Sequence, residues 1–196
     1  MEFPVDDMDR ARQLAHELWP HVAHEIGLGP KLGLLVRNVH VDRPGTVFTD
    51  ILVHIRYHIT YEGIEVYPLQ IIVGTTLDGQ IRRVMKDFDT LYVADTRPTV
   101  SGVDADMIAV NRSELPYAEM HYRTLIVHAT GEPGEPPRLA WMIKLVGRGR
   151  VTGHKIGDDR VIIDAHSGDV LSYQARSPRF PFFEGHLPPD PHPTPS

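Results

Sequence analysis

The sequence predicts an α+β protein with two units in tandem, each a helix packed on a curled antiparallel sheet. Three observations carry this. Apolar residues recur at helical spacing at the start and again past residue 100; stretches with a period of two follow each helix; and turn dipeptides punctuate those stretches. At 196 residues the chain has the length for one domain or for two of roughly 80 residues each.

The first helix is predicted over residues 6–26, where Leu14, Leu18, Val22 and Ile26 recur every four positions behind an acidic first turn. Pro20 interrupts the pattern and predicts a break into two short helices near Trp19. Gly27, Gly29 and Pro30 stop it. Strand sequence begins at Leu34. Residues 49–61 then alternate cleanly: Ile51, Val53, Ile55, Tyr57 and Ile59 point one way, and Asp50, Leu52, His54, Arg56 and His58 the other. Glu62-Gly63 is a turn, and Pro68 confines the short strand around Ile64 to an edge or a bulge. Leu69–Thr76 and Ile81–Asp87 form a hairpin about Leu77-Asp78-Gly79-Gln80, where Asp-Gly favours the mirror-image turn.

A second helix is predicted over 102–114. Ser101 is its N-cap, Asp104 stands three residues later, and Val103, Met107 and Val110 form one apolar stripe. Strands follow at Met120–Ala129, Arg138–Val146, Arg160–Asp164 and Asp169–Gln174. Gly147–Gly157, with four glycines, reads as a long exposed loop. Residues 177–196 hold seven prolines and no alternation, an extended tail in which Phe180-Pro181-Phe182-Phe183 is too apolar for a spacer. The division is therefore 1–96, 97–176 and the tail 177–196.

Composition narrows the function. Apolar residues make up 41% and charged residues 23%, a globular balance. A net charge of -6 leaves no basic surplus for phosphates, and the densest cationic cluster, Lys144, Arg148, Arg150 and Lys155, is broken by glycines and reads as solvated surface. With no cysteine, disulfides, thiol catalysis and thiolate metal sites are excluded. The acidic start lacks a signal-peptide core and no apolar run reaches bilayer length, so the reading defaults to a cytoplasmic protein away from membranes.

Two stretches are similar to a known family. Tyr61-Glu62-Gly63-Ile64-Glu65-Val66-Tyr67, then Leu69–Val73 and Leu77-Asp78-Gly79-Gln80-Ile81, resemble the amino-terminal strand pair in propeptides of thermolysin-type and fungalysin-type zinc metallopeptidases. Arg138–Leu145 and Val161-Ile162-Ile163-Asp164-Ala165-His166-Ser167-Gly168-Asp169-Val170-Leu171 resemble their second part, the PepSY pattern. Thr99-Val100-Ser101 with Ala105 and Ala109 looks like the helix that opens that part. The resemblance covers roughly residues 34–175; Glu65 stands where the family usually has proline. It implies two cystatin-like, PepSY-like modules that assist folding of a peptidase and cover its cleft. The sequence carries no His-Glu-x-x-His, so the role implied is a non-catalytic inhibitor or chaperone acting in trans on a metallopeptidase, or else a module borrowed for another purpose.

Individual residues are weighed against plainer roles. His16-Glu17 and His24-Glu25 lack a histidine at the fourth position and read as solvated helix, so no metal and no cofactor are expected. Asp164, Ser167 and Gly168 read as a structural turn, the carboxylate accepting from backbone amides and the glycine taking positive φ. Trp19 and Trp141 read as core. The tail phenylalanines Phe180, Phe182 and Phe183 are the candidate binding residues, suited to an extended segment in a groove. The competing class is a small-molecule site, or a non-hydrolytic enzyme, in a cavity between helix and sheet lined by His54, Tyr57, His58, Tyr61 and Tyr122. Binding fits the sequence better than catalysis.

Overall fold

The computed structural model describes residues 5–42, 51–86, 88, 91–93, 95–130, 135–148 and 155–175. The chain is α+β. Helices α1 (Val5–Glu17) and α2 (Trp19–Glu25) come first, followed by β1 (Leu32–Asp42), β2 (Leu52–Tyr61), β3 (Ile64–Thr76) and β4 (Ile81–Lys86). Helix α3 (Gly102–Arg112) then precedes β5 (Glu119–His128), β6 (Arg138–Arg148), β7 (Lys155–Asp164) and β8 (Val170–Ala175). The break between α1 and α2 falls at Leu18, with Pro20 in the first turn of α2, where its missing N–H removes no helical bond.

All eight strands belong to one sheet, in the order β1-β2-β3-β5-β6-β7-β8, with β4 also on β3. The two units of the sequence reading are thus joined. Strand β3 has 13 residues, enough for its later part, from Ile71 to Thr75, to pair with β4 while Val66 and Tyr67 pair with Val127 and His128 of β5. That junction is the parallel ladder of the sheet, extended by the Ala129 N–H donating to the Tyr67 carbonyl at 2.9 Å. The other strand pairs are antiparallel. The expected short strand at Ile64 and the strand from Leu69 are one strand; Pro68, after a cis peptide bond, lies in a bulge where residues 67–69 have no partner on β2.

Strand alternation places both helix layers on the same face. Under α1 and α2 lie Val53, Ile55, Tyr57, Ile71 and Val73, and the same core reaches Val127 of β5. Under α3, Ala105 and Ala109 meet Ile143, Leu145, Val161 and Ile163. Burying this much branched apolar surface drives the fold, at roughly 1.5–3 kcal/mol for each large side chain.

Three expectations are corrected. The stripe Val103, Met107 and Val110 faces outward, 64%, 54% and 38% exposed, because small residues at 105 and 109 let α3 sit close on the sheet with that side down. The hairpin at Leu77–Gln80 is not the mirror-image turn: Gly79 alone takes positive φ, at +92°, beneath Leu14. The glycine-rich stretch after Val146 is partly sheet, since β6 runs to Arg148, β7 starts at Lys155, and Gly147 pairs with Gly157. Glycines read as loop, but in an antiparallel hairpin the backbone ladder continues without side chains. The N-cap holds: Ser101 Oγ accepts the Asp104 N–H at 3.2 Å.

Candidate functional site: the sheet face opposite the helices

The alternate residues of each strand point to the face opposite the helices. On β2 these are His54, Arg56 and His58; cross-strand partners are His40 beside His54 and Gln70 beside His58. Asp42 receives two imidazoles, His40 Nε2 at 2.8 Å and His54 Nε2 at 3.0 Å, and His58 Nδ1 lies 2.6 Å from Glu65 Oε1. Further along, Lys144 and Lys155 converge on Asp158 at 3.1 and 2.9 Å.

The centre of this face is apolar and aromatic. Tyr67, Met142 and Leu171 pack around buried Ile126, Ala140 and Ile162. At the β3–β5 junction the rings of Tyr67 and His128 stack with centroids 6.5 Å apart. The Arg160 guanidinium lies 5.2 Å over the Tyr67 ring and also donates to its hydroxyl. Beside them a recess of about 190 Å³ is lined by His128, Thr130, Glu135, Pro136, Arg138 and Leu171. Burial pushes the His128 pKa below its ordinary value, and among the described residues its Nδ1 is buried without a hydrogen-bond partner.

Two carboxylates, Asp158 and Asp164, have their pKa values lowered. The ammonium of Lys155, with that of Lys144, keeps Asp158 below the usual carboxylate range against the opposing effect of burial. Burial pushes Asp164 upward, but the N–H groups of Ser167 and His166, 3.0 and 2.8 Å from Oδ1, with Arg138 beside it, outweigh that and leave its pKa lowered. A general acid at neutral pH requires the reverse shift. Groups so arranged suit recognition: a stacked aromatic pair, a central apolar strip and paired charges around it.

The five residues proposed from sequence for a cavity divide between the two faces. Tyr57 and Tyr61 lie on the helix side, buried; Tyr57 Oη donates to the Ala15 carbonyl at 2.7 Å and Tyr61 Oη to the Val93 carbonyl at 3.3 Å. His54 and His58 lie on the open face, as does Tyr122, 48% exposed and opposite Lys144 on β6. They do not line one cavity, because β2 sends neighbours to opposite sides. Asp164, Ser167 and Gly168 form a tight turn in which Gly168 has φ +81° and donates to the Asp164 carbonyl at 3.0 Å. Trp141 is half-buried, its Nε1 donating to the Val100 carbonyl at 2.9 Å, while Trp19 is 37% exposed and bonds the Leu34 carbonyl at 3.0 Å. Phe180, Phe182 and Phe183 lie outside the described residues. The cluster of Tyr67, His128 and Arg160 was missed from sequence: the three are distant in the chain, and only the sheet order β3-β5-β6-β7 assembles them.

No family model matches the chain. A segment of 89 residues is 34% identical to a transglutaminase-activating metalloprotease of Streptomyces mobaraensis, covering 45% of this chain and 11% of that protein. The match thus spans about a tenth of that relative's length. Among solved structures, the Bacillus megaterium YpeB C-terminal domain superposes with a TM-score of 0.46 at 11% identity, over 91% of this chain and 68% of that one. The segment match is a likeness to part of a metalloprotease.

Proposed function

We propose that this chain is a non-catalytic, propeptide-like binding protein that holds a metallopeptidase in trans, as inhibitor or folding chaperone, with units divided near residue 96. One observation carries the reading. The helices cover one side of an eight-stranded sheet, and the other side presents Tyr67, Met142 and Leu171 within a ring of paired charges. The 34% identity to part of a metalloprotease supports a peptidase as the class of partner. Apolar centre and polar rim are the anatomy of a protein interface.

The test is titration of a thermolysin-type zinc peptidase with the full chain, reading both peptide hydrolysis and binding by calorimetry. Binding is expected, weakened about tenfold or more by Leu171→Glu, since a charge at the centre of an interface is desolvated without a partner. Binding unaffected by Leu171→Glu would move the contact elsewhere, and no binding at all would remove the peptidase reading. The second reading, a small-molecule site, is favoured by the recess of about 190 Å³ at His128 and by the Nδ1 of that residue, which has no hydrogen-bond partner among the described residues. Thermal shifts on screening small metabolites, abolished by His128→Ala, would support it.

A further inference from the structure

We propose that β8 pairs with β8 of a second copy of the chain, antiparallel about a two-fold axis at Tyr173, joining two sheets into one. The inference concerns a sheet edge and stands independently of the peptidase reading. Among the described residues, β1, β4 and β8 each have a strand partner on one side alone. Such edges are ordinarily kept from other strands by charge. The β1 edge carries Arg37, His40 and Asp42, and Trp19 donates to its Leu34 carbonyl; β4 carries Arg82, Arg83 and Lys86. Strand β8, Val170-Leu171-Ser172-Tyr173-Gln174-Ala175, carries no charged side chain. An edge without that protection is a template for another strand.

The ladder decides which main-chain groups face outward. The Asp164 N–H donates to the Asp169 carbonyl at 2.8 Å, so Asp164 turns its main chain toward β8. Alternation along β7 gives the same direction to Ile162 and Arg160, whose partners are Ser172 and Gln174. Those two residues spend their N–H and C=O on β7, which leaves the groups of Tyr173 and Ala175 on the outer edge. The register shift between Ile162 and Ile163 places a bulge at Leu171, so the regular part is Ser172–Ala175. A two-fold at Tyr173 sets that residue opposite its counterpart, each donating its N–H to the other's carbonyl, so one patch serves both copies.

Side chains agree with this register. Ser172 meets Gln174 of the other copy on the face opposite the helices, a hydroxyl against an amide, and no like charges are opposed. The Tyr173 ring stays with its own chain: its Oη donates to Asp159 at 2.6 Å, and the Arg112 guanidinium lies 4.7 Å over it. Around Tyr173, Arg112 and Arg160 balance Asp159 and Glu114 in charge, so neither copy brings a surplus of one sign to the axis. That balance suits an identical partner, which presents the same charges.

The test is sedimentation equilibrium of the full chain over about a hundredfold range of concentration, with amide hydrogen exchange as a second readout. Expected is a mass rising with concentration from 22.1 kDa toward twice that value. Exchange at the Tyr173 and Ala175 amides slows about tenfold over the same range, while Ser172 and Gln174, already bonded to β7, change less. Ala175→Pro removes an outward donor and no bond to β7, so the monomer keeps its fold and association falls about tenfold or more. Ser172→Lys weakens association in the same way, by placing a charge on the edge. A constant mass of 22.1 kDa would overturn the proposal. A dimer whose Tyr173 amide exchanges as in the monomer, or that Ala175→Pro leaves unchanged, would overturn it too, since the contact then lies elsewhere.

Discussion

Removing the Tyr57 hydroxyl tests how the first helix is locked to the sheet. Tyr57 is fully buried on β2, and its Oη donates to the Ala15 carbonyl at 2.7 Å. Ala15 lies in the last turn of α1, where carbonyls lack helical donors and need another partner. In Tyr57→Phe the ring remains, so packing is conserved and one buried acceptor is orphaned. A typical net hydrogen bond is worth about 1 kcal/mol, and an unsatisfied buried group costs about 1–3 kcal/mol. The expected loss is therefore about 1–3 kcal/mol, rising to about 3–5 kcal/mol in Tyr57→Ala, where a cavity is added. Tyr61→Phe is the internal control: its bond to the Val93 carbonyl is longer, at 3.3 Å, and about 1 kcal/mol or less is expected.

Urea unfolding followed by far-UV circular dichroism measures all three at pH 7. The burial of the same hydroxyl predicts an alkaline signature. Burial raises the Tyr57 pKa from 10.0 to about 12, so the folded state favours the neutral phenol. That contribution is complete below the unfolded value near pH 10 and is lost as pH rises from there toward 12, roughly 3 kcal/mol in all. Tyr57→Phe lacks this component and shows a flatter alkaline limb. A Tyr57→Phe variant within about 0.5 kcal/mol of wild type, with a parallel alkaline limb, would refute the clasp.

Two further predictions concern the second half. Asp158 is 8% exposed between Lys144 and Lys155, and its lowered pKa stabilises the fold above the ordinary aspartate range, an effect lost as pH falls through the lowered value. Asp158→Asn is expected to cost about 1 kcal/mol at neutral pH, the lysines being largely solvated, and to flatten the acid limb of Tm against pH; parallel curves would count against the pairing. Ala109→Leu inserts three carbons between α3 and the layer of Ile143 and Ile163, with an expected loss of about 1–3 kcal/mol by calorimetry; an unchanged Tm would mean that α3 is not seated on its alanines.

Much of the fold was legible locally. The period of two from Val53 to Ile59 fixes which side of β2 is buried, Pro20 splits the first helix, and Ser101 caps α3 with the bond its spacing implies. The open-face position of His54 and His58 follows from the same alternation, and it contradicts the expectation that they share a cavity with Tyr57. The orientation of α3 was not legible, because Val103, Met107 and Val110 make a better apolar stripe than Ala105 and Ala109. Close approach of helix to sheet rewards small side chains, and hydrophobicity alone does not register that.

The cluster at the centre of the open face belongs to the same class of information. Tyr67, His128 and Arg160 each sit on strands that the sequence announces, yet nothing within either stretch says that β3 and β5 run side by side. The sequence by itself determined most of the elements, the buried side of β2 and the order of helices and strands, since these depend on neighbours a few residues apart. Only the tertiary structure decided that the two halves share one sheet, which side of α3 remains in water, and which rings meet at the junction. Those outcomes rest on contacts between residues far apart in the chain, whose gain in burial and pairing must exceed the entropy of bringing them together.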